Sequence, residues 1–201
     1  MRKPMARDTR ERLLRTARDL VHGTSLAEVS IEDICAGAGV HRGSLYHFFP
    51  SKEALGLAVL DLNWTMMQAV LDEAFQAEVE PLARIDRFID GFARMLRLMR
   101  EKMGATPGCP LGDLTTELSA QPGPGRDRSQ NVLRAWTRYF VDAIREARAR
   151  GQLTRTTDPE AAALRVLAYL QGMALLAKVY DDPALVATTR TAVRSLIDQT
   201  D

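Results

Sequence analysis

Along most of the chain apolar residues recur at intervals of three and four, and runs of alternating β-branched residues are missing. Residues so spaced share one face of an α-helix, so the expected fold is all-α. The first helix, about Asp8 to His22, gathers Leu13, Leu14, Ala17, Leu20 and Val21 on one side, and Gly23 stops it. Ser30, with Asp33 three residues on, reads as a capping box opening a short second helix that ends near Gly39. A third, about Arg42 to Phe48, ends before Pro50, and Ser51 starts a long fourth through Leu55, Val59, Leu62, Met66 and Val70. An amphipathic helix past Pro81 is expected to run through Met99 and break from Gly104, and further helices from Leu111 to Ser119, Ser129 to Arg150, Pro159 to Tyr180 and Pro183 to the C-terminus, about nine helices in all. The segments Gly104–Pro110 and Gln121–Gly125 read as loops, the second the most flexible in composition.

Charge is nearly balanced overall, with 27 Lys+Arg against 26 Asp+Glu, but unevenly placed. Residues 1–52 hold nine basic and six acidic side chains, which puts a positive field at the N-terminal end. Cys35 and Cys109 lie far apart, and the N-terminus lacks the apolar run of a secretory leader, so a reducing cytoplasm is the expected compartment. Every apolar segment is interrupted by charge at helical spacing, and no membrane partner is expected.

Residues 31–49 form two short helices around a glycine turn, the spacing of a helix-turn-helix. Ile34, Val40, Leu45 and Phe48 supply the buried side, which leaves Arg42, Gly43, Ser44, Tyr46 and His47 on the surface of the second helix. An arginine near that N-terminus can reach a guanine edge with two hydrogen bonds. Tyr46, His47 and Lys52 offer donors suited to phosphate. The stretch Ser30–Leu55, with Arg42-Gly43-Ser44-Leu45-Tyr46-His47 and Phe49-Pro50-Ser51-Lys52-Glu53-Ala54-Leu55, closely resembles the DNA-binding domain of TetR-type transcriptional regulators. The resemblance implies an N-terminal three-helix DNA-binding domain, residues 1–52. It also implies an effector-binding and dimerisation domain, residues 53–201, with the dimer made by the last two helices. His41, also placed at the DNA, stands where the family often has a Ser or Thr cap.

The segment Pro107-Gly108-Cys109-Pro110-Leu111-Gly112-Asp113-Leu114 is similar to one in a branch of the family that includes repressors responding to small electrophiles and unsaturated carbonyl compounds. Relatives often carry Asn where Asp113 stands. If Pro110 opens the short helix, the Cys109 thiol sits at a helix N-terminus, where the dipole favours thiolate. Lys178 interrupts the apolar run Met173–Ala177, expected to face the interior, and is the candidate charged neighbour of Cys109. Trp64, Met67, Phe92, Met95, Met99, Trp136, Tyr139, Tyr169 and Met173 repeat at helical intervals; most read as core, and a Met- and aromatic-rich wall of this kind is also what an apolar effector pocket needs.

The expected function is therefore a ligand- or electrophile-responsive regulator, a repressor by resemblance, that binds a near-palindromic double-stranded operator as a homodimer. A helical adaptor or small-molecule-binding protein without DNA binding is the alternative. An enzyme is disfavoured, because a glycine-rich phosphate loop, a nucleophile elbow and a paired-histidine motif are all missing from the sequence. His22, His41 and His47 lack metal-ligand spacing, so neither metal nor cofactor is expected.

Overall fold

The computed structural model describes residues 6–153 and 158–198, all of whose regular structure is helical. The helices are α1 (Ala6–Gly23), α2 (Ile31–Ala38), α3 (Arg42–Phe48), α4 (Lys52–Ala74), α5 (Pro81–Met103), α6 (Pro110–Leu118), α7 (Pro124–Ala149), α8 (Pro159–Val179), α9 (Ala184–Ala187) and α10 (Arg190–Ile197). They divide into two compact units, one of residues 1–64 with 110–130, the other of residues 65–109 with 131–201.

In the first unit α1, α2 and α3 form a three-helix head. Leu13 and Ala17 of α1, Ile34 of α2 and Leu45 of α3 are buried, together with Leu55 and Val59 of α4 and Leu111 and Leu114 of α6. Cys35 is buried in α2, and that burial, with the Glu32 carboxylate, pushes its thiol pKa up; it is a small core residue. Gly56 lets α4 approach closely, since a Cβ there would lie 2.6 Å from Leu26 Cδ2.

The second unit is built on a cluster of rings. Phe88 stacks on Phe92 at 5.8 Å and meets Trp136 and Phe140 edge-on, at 5.8 and 5.4 Å. Arg84 is buried at the start of α5 but fully used: it donates to Glu146 at 2.6 Å and to the carbonyls of Val79 and Ala77 at 2.8 and 2.9 Å. The length and apolar composition of α4 and α8 would also suit a membrane span, although each has part of its surface buried within the fold. In α8 the reason is visible. Leu167, Leu170, Ala174 and Ala177 pack inward, while Leu164, Ala168, Gly172, Leu175 and Val179 make a second, exposed apolar stripe at helical spacing.

Two helix boundaries differ from the periodicity. α7 starts at Pro124, inside the stretch expected to be loop, because Pro124 suits a first turn and Gly125 sits against the Leu118 carbonyl with no room for a Cβ. The C-terminal helix is two, for ten helices among the described residues. Thr188 and Thr189 interrupt it, each hydroxyl donating to a carbonyl three residues back, Leu185 and Val186, at 2.7 Å.

Candidate nucleic-acid interface and effector segment

The helix-turn-helix is fixed by local chemistry. Ser30 Oγ accepts from the Asp33 N–H at 3.0 Å and donates to the Asp33 carboxylate at 2.6 Å, which starts α2. Gly39 ends it at φ 63°, a left-handed conformation that favours glycine, and its N–H donates to the Ala36 carbonyl. His41 gives α3 no side-chain cap.

Of α3 only Leu45 is fully buried, so Arg42, Gly43, Tyr46 and His47 are exposed, as is His41, and Ser44 is half-buried. Arg42 donates to Glu32 at 2.7 Å and lies 5.6 Å from the centre of the Tyr46 ring. Both side chains of that ion pair are more than half exposed, so it can be exchanged for a stronger acceptor. Lys52 donates to the Ala27 carbonyl at 2.8 Å.

That bond is half of a clamp. The N–H groups of Leu26 and Ala27 both donate to the Glu117 carboxylate of α6, at 3.1 and 3.0 Å. The turn after α1 is thereby held by an anion at its N–H groups and by a cation at its carbonyl. A second tie runs through Asn63, whose Nδ2 donates to the Pro110 carbonyl at 3.0 Å while its Oδ1 lies 3.1 Å from His22 Nε2. With Oδ1 left as the acceptor, the His22 proton is on Nε2. Burial, aided by Arg18, lowers the His22 pKa from 6.5 to about 4, against the opposing pull of Asn63, Asp19 and Asp113. His22 is thus a neutral structural donor. In the sequence alone His22 invites only the question of metal binding and Asn63 has no visible role, since the two lie 41 positions apart.

In the second unit the segment 104–109 leaves α5 through Gly104 at φ 83°, and Thr106 to Cys109 are all buried. Asp181, itself left-handed at φ 50°, accepts from the Thr106 N–H and hydroxyl, each at 2.9 Å, and takes two bonds from Arg100 at 2.9 and 2.8 Å. Arg100 above all, then Thr106, holds the Asp181 carboxyl well below the usual carboxylate range. Cys109 immediately precedes α6, as the proline suggested, but it is 3% exposed. Lys178 is exposed rather than interior, because Ala174 and Ala177 occupy the packed face of α8; Leu175 and Leu176 of the same run are exposed too.

Of the expected pocket residues, Trp64 belongs to the first unit and the other eight to the second. Met67, Phe92 and Trp136 are fully buried, and Met95, Met99, Tyr139, Tyr169 and Met173 are half-buried. Tyr139 donates to Asp72 at 2.5 Å, and burial followed by that carboxylate raises its pKa. The Trp136 indole N–H has no hydrogen-bond partner among the described residues.

Comparison with known proteins agrees with this geometry. Residues 13–59 match the family model described as bacterial regulatory proteins, tetR family, and residues 81–193 match the tetracyclin repressor-like C-terminal domain. The chain is 32% identical to the transcriptional regulator AcuR of Cereibacter sphaeroides, over 98% of this chain and 89% of that one. A crystal structure of regulatory protein TetR from Rhodobacter sphaeroides superposes with a TM-score of 0.79 at 32% identity, covering 92% of this chain and 96% of its own. The reduced form of E. coli NemR gives 0.79 at 25% identity, covering 94% of this chain and 96% of that one. The chain belongs to the TetR family of DNA-binding transcriptional regulators.

Proposed function

We propose that the chain acts in the cytoplasm as a repressor that binds a near-palindromic operator as a homodimer and leaves it when a small molecule binds or modifies the second unit. The observation that carries the DNA reading is the division of labour in α3, where one leucine anchors the helix and the neighbouring polar side chains face outward. A seven-residue helix reads only a few base pairs, so two copies about 34–36 Å apart are needed for a specific site. The exposed stripe on α8 is the surface we assign to the dimer.

Arg42 is assigned to a base edge and Lys52, with Tyr46 and His47, to phosphate. Arg42→Ala should cost about 1–3 kcal/mol of operator binding and relax sequence preference. Lys52→Ala should weaken all DNA alike and flatten the salt dependence. A mobility-shift competition between operator and scrambled DNA checks both, and unchanged selectivity in Arg42→Ala would remove that residue from base reading.

The effector is assigned to an unsaturated carbonyl or related electrophile acting at Cys109, with an apolar ligand held near Trp136 and Tyr139 as the non-covalent form. In the covalent step the Cys109 sulfur adds to the β-carbon of the unsaturated carbonyl, the carbon–carbon π pair moves to the α-carbon, and the thiol proton ends there. The buried thiol becomes reachable only when the segment pinned by Asp181 opens, so opening precedes addition. The unpaired Trp136 N–H is a donor that a carbonyl oxygen would satisfy. With an unsaturated aldehyde, the wild type should gain one adduct at Cys109 and release DNA, whereas Cys109→Ser should stay bound. Equal release by the variant would leave only the reversible ligand.

A further inference from the structure

Within the second unit, the end of α4 and the middle of α5 border an open groove of about 610 Å³, to which α9 adds Ala187. One part of its wall is apolar and made of small groups, Val70, Ala74, Gly91 and Ala187. Gly91 lets α5 approach α4 closely there, since a Cβ would lie 2.8 Å from Val70 Cγ1 and that side chain would have to shift. The other part is a row of guanidinium groups, Arg87, Arg94 and Arg97, on one face of α5.

The groove also contains two carboxylates, and both are engaged. Glu73 accepts from Arg94 at 3.1 and 3.2 Å, and Asp90 is paired with Arg190 of α10. Arg87 and Arg97 are exposed and have no carboxylate partner among the described residues. The wall therefore carries uncompensated positive charge beside apolar surface. The two arginines stand ten residues apart, about 15 Å along a helix, farther than one inorganic ion can bridge. An extended molecule can lie on the apolar wall and bring its charge to either end. Guanidinium is weakly hydrated and takes oxyanions with two parallel bonds, which suits a carboxylate, sulfonate or phosphate head.

We propose that this groove is a binding site for an amphipathic organic anion, its aromatic or acyl body against Val70, Ala74 and Ala187 and its anionic head on Arg87 or Arg97. None of these residues belongs to α3 or to the Cys109 segment, so the site stands or falls independently of the electrophile reading.

The test uses the full-length protein and two fluorescent probes, 8-anilinonaphthalene-1-sulfonate and its uncharged counterpart N-phenyl-1-naphthylamine. The wild type should bind the sulfonate saturably, and Arg87→Ala with Arg97→Ala should raise its Kd by about tenfold or more while leaving the neutral probe unaffected. Ala187→Trp, which fills the groove from an exposed position and leaves all three arginines in place, should weaken binding of the sulfonate. Far-ultraviolet circular dichroism confirms that each variant is folded. The proposal is overturned by no saturable binding to wild type, by equal sulfonate affinity in the double arginine variant, or by an Ala187→Trp protein that binds as the wild type does.

Discussion

Leu175→Glu combined with Val179→Glu should give a folded monomer that binds operator DNA about 10²–10⁴-fold more weakly than the wild type, the factor lost when two linked binding events become separate ones. Both positions are more than half exposed, at 56% and 68%, so glutamate there removes little from the packing of the subunit itself. In a twofold interface the same patch meets its own copy, so each substitution places a carboxylate near its counterpart on apolar surface. Ala168 and Gly172 lie in the same stripe, and a Cβ at Gly172 would meet nothing within 4 Å, which leaves a partner helix room to approach. Sedimentation velocity should show the monomer, and a mobility shift should show the lost affinity. Leu98→Glu, at an equally exposed leucine on α5, serves as the control and should remain dimeric. A variant that sediments as dimer and binds DNA normally would place the interface elsewhere.

Acid should destabilise the chain through His22. In the folded protein its imidazole stays neutral down to about pH 4, whereas in the unfolded chain it titrates near 6.5. Between those values the unfolded state binds more protons, so lowering the pH favours unfolding. The contribution is complete above pH 6.5, falls as the pH approaches 4 and falls no further below it. The total is about 3 kcal/mol, from 1.36 kcal/mol per unit of difference. His22→Gln keeps an N–H donor for Asn63 and has no charge to gain. Urea unfolding at pH 7, 5.5 and 4 should therefore give a shallower dependence for the variant; the same slope in both proteins would rule out His22 as the acid-sensitive group.

What could be read in advance was what local chemistry decides. Ser30 and Gly39 bracket α2 because a hydroxyl cap and a left-handed glycine act over three or four residues, and the limits of α3 follow from Gly39 and Pro50. The break at Thr188–Thr189 was not legible, since threonine tolerates helix and only its hydroxyl bonding reveals the interruption. Nor was the exposure of Lys178. An all-apolar run on a helix looks buried, and one whose second face lies open reads identically. The ties of Glu117 to Leu26 and of Asn63 to His22 join residues 91 and 41 positions apart, beyond any periodic signal. Asp181 gave no sign either, because its role depends on a left-handed backbone that its residue type seldom signals.

The Glu117 clamp has a consequence for which sequences can descend from this one. The carboxylate grips main-chain N–H groups, which every residue but proline supplies, so the exposed Ala27 position can drift through nearly all side chains without loosening the turn. Leu26 has less latitude, being wedged under Gly56. Position 117 has almost none, for its tolerance is set by the need for two oxygens at one reach. Variation in diverging lineages should therefore be lopsided across a single contact, free on the side that is held and frozen on the side that holds.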